Sequence, residues 1–361
     1  MKVAILGTRG IPNRYGGFER FAEVLSAKLA HVGVDVWVFC PCNKSAKAFR
    51  HGNVWVLPVA TPWFLPSQVQ TLLYDLLSLV KAKQMGFHVL LECGYGFAPW
   101  LLFFGKQTRK RVVVNMDGLE YTREKWGLVA SLYLRFCEYC AVKLTRNLVV
   151  DSREIGSILY KKYSVNTVFI PYGADTCNEP KVKVGVPEKY CLAIARITPE
   201  NSIKQIANAA ILAKIPIVIV GSIDSGYGKM LYEQYSQSKL VHFYGAAYNQ
   251  DELNALRLGA LLYIHGHTVG GTNPSLLEAM ACGCVVVAHN NLFNREVLGS
   301  AGFYFSSTEE LSLVIKNFSE NEKSLSKKSL ASVMIVNERY CWSSIANDYL
   351  QLFEKVASNL A

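Results

Sequence analysis

No stretch of this chain reaches the ~18 consecutive apolar residues that a membrane-spanning helix requires, although 51% of its 361 residues are hydrophobic. The most apolar short run, 97–104, contains Pro99 and is far too short. The apolar residues 3–6 are cut off by Gly7, Arg9 and Gly10 before a signal-peptide core forms, so they read as a first buried strand and the protein is expected to stay in the cytoplasm. Long polar, highly charged segments are missing, which excludes extended disorder, and there are no short repeats. The ten cysteines form no disulfide framework. Cys137 and Cys140 make a single CxxC, with no second pair or paired histidines to complete a zinc set, so they read as reduced, small apolar side chains. A GxGxxG loop, a Walker loop and a DxD-type acidic pair are all absent. That argues against a dinucleotide, ATP and a metal-held diphosphate.

What is present suits two domains of ordinary size. Charge divides them: residues 1–172 hold 22 Lys and Arg against 11 Asp and Glu, whereas 173–361 hold 16 against 17. A basic half attracts nucleic acid, anionic lipid or a phosphate-bearing substrate, and the asymmetry alone does not choose among them. Apolar runs at 3–6, 34–39, 54–59, 88–91, 111–115, 147–150 and 168–170 read as buried strands. Helical spacing appears at 18–31 and in a long segment that Ser67 is placed to cap. The pattern restarts with strands at 190–195, 217–220, 241–244, 261–264 and 285–288, and helices at 203–213, 253–258 and 275–281. This alternation implies two α/β domains with parallel sheets, joined near 172–186, with ligands in a cleft at the strands' carboxyl ends.

Four loops at such ends carry chemistry. Gly7-Thr8-Arg9-Gly10-Ile11-Pro12-Asn13-Arg14-Tyr15-Gly16-Gly17 enters a helix, whose N-terminus at Gly16 and Gly17 favours an anion, with Arg9 and Arg14 adding charge. The strand ending at Asn115 delivers Asp117 and Glu120, carboxylates able to orient or deprotonate an acceptor hydroxyl, or to cap the next helix. Arg196, after the strand at 190–195, is placed to hold a diphosphate, or is a surface arginine. The fourth loop, from His265 through Gly271, Thr272, Asn273, Pro274, Ser275 and Leu276, makes a second anion cradle, and Glu278 one turn on can accept from a ribose. His265 and His267 have no third ligand, so no metal is expected.

With this fourth motif the chain resembles the two-Rossmann-domain (GT-B) glycosyltransferases, specifically family 4. Leu277-Glu278-Ala279-Met280-Ala281-Cys282-Gly283 followed by Val285-Val286-Val287-Ala288 is similar to that family's nucleotide-sugar signature. Pro171-Tyr172-Gly173 resembles the start of its second domain, Arg196 its diphosphate arginine, and Trp342 with helix 345–356 its final helix crossing back to the first domain. Gly-Thr-Arg-Gly-Ile-Pro from Gly7 and Tyr15-Gly16-Gly17-Phe18-Glu19 resemble a narrower, rhamnosyltransferase-type branch that builds bacterial surface polysaccharides. The resemblance implies two Rossmann-like domains facing each other across a cleft. Residues 1–172, completed by 343–361, would bind acceptor, and 173–342 the nucleotide sugar.

Further implications concern the reaction. It would be metal-independent and retaining, moving a sugar, with L-rhamnose from dTDP-rhamnose as best candidate, to a polyprenyl-diphosphate-linked saccharide. Catalysis would rest on Asp117, Arg196 and Glu278. The donor would meet Gly16, Gly17, Arg196, Lys204, His265 and the 271–276 segment, and the acceptor Arg14, Tyr15 and Glu120. The enzyme would be peripheral at the inner face of the cell membrane, drawn to anionic lipid by its basic half and by Trp63, Phe64 and Leu65. Three departures stand out: Gly270 replaces the family's first glutamate, Asp117 stands where a histidine is common, and Asn201 replaces a lysine that Lys204 can substitute. The alternatives are a nucleotide-sugar 2-epimerase of the same fold and a basic-surface nucleic-acid binder. The second is disfavoured because the basic residues are not interleaved with aromatics.

Overall fold

The computed structural model describes residues 1–44, 46–116, 118–122, 126–177, 179–320 and 325–359. It divides into two compact units, Met1–Tyr172 with Trp342–Ala361, and Gly173–Cys341.

Unit 1 is built on an eight-stranded sheet. Its strands are β1 (Lys2–Leu6), β2 (Asp35–Cys42), β3 (Phe49–His51), β4 (Val54–Ala60), β5 (Val89–Cys93), β6 (Val112–Met116), β7 (Asn147–Val150) and β8 (Val168–Phe169). They lie in the order β3-β4-β2-β1-β5-β6-β7-β8. All neighbours are parallel except β3, which pairs antiparallel with β4. The central strands are mostly apolar because helices cover both sheet faces; Val3, Ala4, Ile5, Val89, Leu91 and Val113 are fully buried. The helices are α1 (Gly17–His31), α2 (Ser67–Gln84), α3 (Lys106–Lys110), α4 (Leu128–Leu144) and α5 (Arg153–Tyr163). Ser67 does not cap α2: Pro66 holds the cap position and Ser67 is the first helical residue. Proline there has its φ preset and no N–H to satisfy.

Unit 2 holds a six-stranded, all-parallel sheet: β9 (Cys191–Ile194), β10 (Ile217–Val220), β11 (Val241–Gly245), β12 (Leu262–His265), β13 (Val286–His289) and β14 (Phe303–Phe305). Its order is β11-β10-β9-β12-β13-β14. Around it lie α6 (Ile203–Ala213), α7 (Gly226–Tyr235), α8 (Gln250–Leu258), α9 (Pro274–Ala281), α10 (Leu292–Leu298), α11 (Thr308–Glu320) and α12 (Leu325–Arg339). The apolar stripe of α6, Ile203, Ile206, Ala207 and Ala210, is sealed against Cys191, Ile217 and Ile219. Each fully buried Ile contributes roughly 1.5–3 kcal/mol.

The last helix, α13 (Trp342–Ser358), returns to unit 1. It packs on α1, where Phe21 meets Tyr172, Trp342 and Tyr349 at ring separations of 5.2, 6.2 and 5.4 Å. Among the described residues no helix is long and apolar enough to cross a membrane. All ten cysteines are free thiols, and burial pushes Cys137 up to about 12.

Candidate functional site

The strand order of unit 2 reverses beside β9: β10 and β11 lie on one side, β12 to β14 on the other. Connections leaving β9 and β12 diverge there, opening a crevice at the strands' carboxyl ends. Arg196 follows β9, and the glycine-rich loop from Gly266 follows β12. The two loops lie backbone to backbone, since a Cβ on Gly266 would sit 2.3 Å from the Asn201 carbonyl oxygen. Hydrogen bonds fix the crevice floor. The N–H and hydroxyl of Thr268 both donate to the Glu200 carbonyl, at 2.9 and 3.0 Å. The Asn201 amide donates to the Arg196 carbonyl at 2.8 Å. From the start of α10, its cap residue Asn291 and Asn294 in its first turn donate through their amides to the His267 carbonyl at 2.9 and 3.0 Å.

His265 ends β12 in this floor, 1% exposed. Strand alternation puts Tyr263 and His265 on one face, and the stack continues to His267, 4.3 Å away with rings 10° from parallel. Neither ring nitrogen of His265 has a hydrogen-bond partner among the described residues. Burial, aided by His289, lowers its pKa to about 3, so the ring is neutral and either nitrogen can meet a polar ligand atom. Because the folded pKa lies below the ordinary 6.5, the unfolded chain binds the proton more tightly. Stability is therefore expected to be full above about pH 6.5 and to fall by about 1.4 kcal/mol per unit as pH drops toward 3. Comparing pH-dependent unfolding of the wild type with His265→Leu isolates this slope; equal slopes would sink the reading.

Arg196 and Lys204 are both exposed, Arg196 on its loop and Lys204 in the first turn of α6. The start of α9 differs from the expected cradle. Asn273 caps the helix, its side-chain oxygen accepting from the Ser275 N–H at 3.0 Å and hydroxyl at 2.9 Å. The N–H groups of Leu276 and Leu277 turn back to the Asn273 carbonyl. An anion reaching the Ser275 amide must therefore displace the Asn273 side chain. Pro274 occupies the first helical turn, Thr272 is buried and Gly271 half-buried; Gly270 has φ +115° with open space where a side chain would stand.

Glu278 is more constrained than its sequence position suggests. One carboxylate oxygen accepts at 2.5 Å from Arg257, whose side chain is 1% exposed. Arg257 also donates to Asn254 at 3.1 Å. Sequence reasoning missed Arg257, because an arginine in the last turn of a helix reads as a solvated residue favoured by the helix dipole. The only hint was its place beside Leu253 and Leu256 on the buried face of α8.

In unit 1 the equivalent reversal lies at β1 and β5. Gly7 turns out of β1 with φ +75°, and a Cβ there would lie 2.7 Å from the Cys93 carbonyl oxygen. The loop is held from within: Glu19, 5% exposed, accepts from the Arg9 N–H at 2.9 Å, and Glu23 accepts from the Asn13 N–H at 3.2 Å. A protein carboxylate thus already complements the start of α1 beside Gly16 and Gly17. Arg14 and Tyr15 are exposed, and the Arg9 guanidinium stacks 3.6 Å over the Tyr15 ring. Glu120 is half-buried after β6, its N–H donating to the Tyr95 hydroxyl at 2.8 Å. Asp117 lies outside the described residues. Beneath the loop, Glu92 is 2% exposed, and burial with Asp75 nearby raises its carboxyl well above the ordinary range. Among the described residues no three His, Cys, Asp or Glu side chains are grouped to hold a metal. Trp63 and Phe64 are exposed and Leu65 half-buried.

Two family models divide the chain. Residues 1–175 match a domain of unknown function (DUF1972), and residues 178–331 match Glycosyl transferases group 1. No curated protein matches the sequence. Among solved structures, sucrose-phosphate synthase from Thermosynechococcus elongatus is similar over 99% of both chains, with TM-score 0.83 and 17% identity. The UDP-forming α,α-trehalose-phosphate synthase from Burkholderia xenovorans, solved with glucose-6-phosphate, is similar over 98% of this chain and 100% of its own, with TM-score 0.74 and 10% identity. Anabaena HepE in complex with UDP is similar over 98% and 100%, with TM-score 0.69 and 16% identity. At such identities the likeness speaks for the fold, the two-Rossmann GT-B architecture. The glycosyl transferases group 1 domain in its second half makes the chain a glycosyltransferase.

Proposed function

We propose that the enzyme moves a sugar, L-rhamnose from dTDP-rhamnose as first candidate, onto a saccharide carried on polyprenyl diphosphate at an anionic membrane surface, with retention. The observation that carries the donor assignment is the crevice at the β9 and β12 ends, where Arg196 and the 266–276 loop converge on a floor fixed by Glu200, Asn201 and Asn294. Arg196, assisted by Lys204, would stabilise the charge growing on the departing diphosphate, an interaction strongest in the transition state. His265 would contact the donor through an unpartnered ring nitrogen, and Glu278, oriented by Arg257, would accept from the ribose. Asp117 and Glu120 would position the acceptor, with Arg14 and Tyr15 on the same unit. The leaving phosphate would take the acceptor's proton, which requires no metal. The rhamnosyl choice rests on the loop from Gly7 to Glu19 and its resemblance to the narrower branch of family 4. HepE and the trehalose-phosphate synthase, named with UDP, make uridine nucleotides the first competitors.

A thermal-shift panel without metal tests this: dTDP-rhamnose, UDP-glucose, UDP-N-acetylglucosamine, GDP-mannose, NAD and a short DNA duplex. Selective protection by one sugar nucleotide, about 2.7 kcal/mol at a hundred times its Kd, is the expected outcome. Protection by UDP-glucose alone would replace the rhamnosyl assignment. Protection by none of the four would sink the donor site, and protection by DNA alone would favour the nucleic-acid reading.

A further inference from the structure

The helix α4 is apolar on both faces: Cys137, Cys140, Ala141 and Val142 are buried, yet large apolar side chains also face outward. Its inward face carries Glu138, fully buried, which accepts from Lys162 at 2.5 Å and from the Tyr163 hydroxyl at 2.7 Å. Its outward face carries Leu128, Val129, Leu132, Phe136 and Tyr139, with Leu128 and Val129 78% and 81% exposed. At 100° per residue these five fall within one arc of about 100°. A face meant for water ordinarily carries polar side chains at such positions.

The helical turn Ala98–Phe103, which packs against α4, extends the same chemistry. Leu102 is exposed and Phe103 is 77% exposed. Arg109 holds this turn by donating to the Leu101 and Leu102 carbonyls at 2.8 and 3.1 Å, so Phe103 is presented on a braced segment. Contiguous exposed apolar surface of this kind marks a binding site.

Charge selects the partner. Lys143 is exposed on the same arc of α4 and Arg135 at its border, and Lys106 and Lys110 are exposed on α3, shortly after the apolar turn. No acidic residue occurs in 98–111, and the only one in 126–146 is the buried Glu138. A second copy of the chain, meeting this face with itself about a two-fold axis, would bring Arg135 and Lys143 against their own equivalents, with only the half-buried Glu120, among the described residues beside α4, to offset them. An anionic bilayer supplies both needs, acyl chains for the leucines and phenylalanines and headgroup phosphates for the flanking cations.

We infer that α4 and the 98–103 turn form the membrane-docking surface of this enzyme, with α4 lying in the plane of an anionic leaflet. This deepens the proposed membrane-bound acceptor by naming the surface that reaches it. The docking itself needs no sugar transfer.

Co-sedimentation with vesicles of phosphatidylcholine alone, or mixed with phosphatidylglycerol, tests the inference. The full chain is expected to bind the mixed vesicles and to leave them as salt rises toward ~1 M, where screening acts within about 3 Å. Leu128→Ser with Leu132→Ser, and separately Arg135→Glu with Lys143→Glu, are each expected to weaken binding about tenfold or more. All four side chains are exposed, so the unfolding midpoint and sugar-nucleotide protection should be unchanged. Vesicle binding equal to wild type in both double variants overturns the inference, as does loss of binding only on Trp63→Ala with Phe64→Ala. A wild-type dimer that falls apart in the leucine variant would assign the face to a second copy instead. A protein that docks through these residues yet is protected by no sugar nucleotide keeps this inference and sinks the donor assignment alone.

Discussion

Replacing Arg257 with alanine is expected to destabilise unit 2 by about 3–5 kcal/mol, because it breaks a largely buried ion pair with Glu278 by removing one member. For a unit of this size the midpoint should fall on the order of 10 °C. The double variant Arg257→Met with Glu278→Leu separates stability from function. Buried ion pairs exchanged for apolar side chains of similar volume are often neutral in stability, so the midpoint should largely recover. Protection by the donor should not recover, because no carboxylate remains for the ribose. Calorimetric unfolding with and without the sugar nucleotide reads both effects. Full donor protection in the double variant would remove Glu278 from the site and leave the pair a purely structural device.

Arg196→Ala is expected to lower kcat about 10²–10³-fold, corresponding to about 2.7–4 kcal/mol of transition-state stabilisation. The side chain is exposed on its loop, and the loop is held by hydrogen bonds to its backbone rather than to its guanidinium. The fold should therefore be indifferent to the change. Arg196→Lys should recover only part of the rate, since an ammonium cannot form the two parallel hydrogen bonds that a guanidinium offers phosphate oxygens. Steady-state kinetics with the protected nucleotide distinguish the roles. A rise in KM at constant kcat would make Arg196 a ground-state binding residue, and unchanged kinetics would remove it from the site.

The two α/β sheets could be read from the chain because their central strands are buried on both faces. Continuous apolar runs such as 217–220 leave little choice of element, and that strand and helix α6 have the very bounds their spacing indicates. The edge strand β3 could not be read this way: all three of its residues are exposed, and only pairing with β4 makes it a strand. The glycine-rich loops were also legible, since Gly7 and Gly266 mark places where one backbone passes close to another. Their chemistry was not.

The sequence by itself determined which loops leave the carboxyl ends of the strands and which carry Arg196, His265 and Glu278, because local spacing sets the elements and their order. Tertiary structure alone decided what those side chains meet. Arg257 reaches Glu278 across 21 positions, and Glu200 reaches Thr268 across 68. It also turned Glu138 of α4 inward, because Lys162 and Tyr163 of α5 supply partners that no periodicity within α4 reveals. Burial and partnership are properties of neighbours distant in the chain, and a pattern of short period carries no information about them.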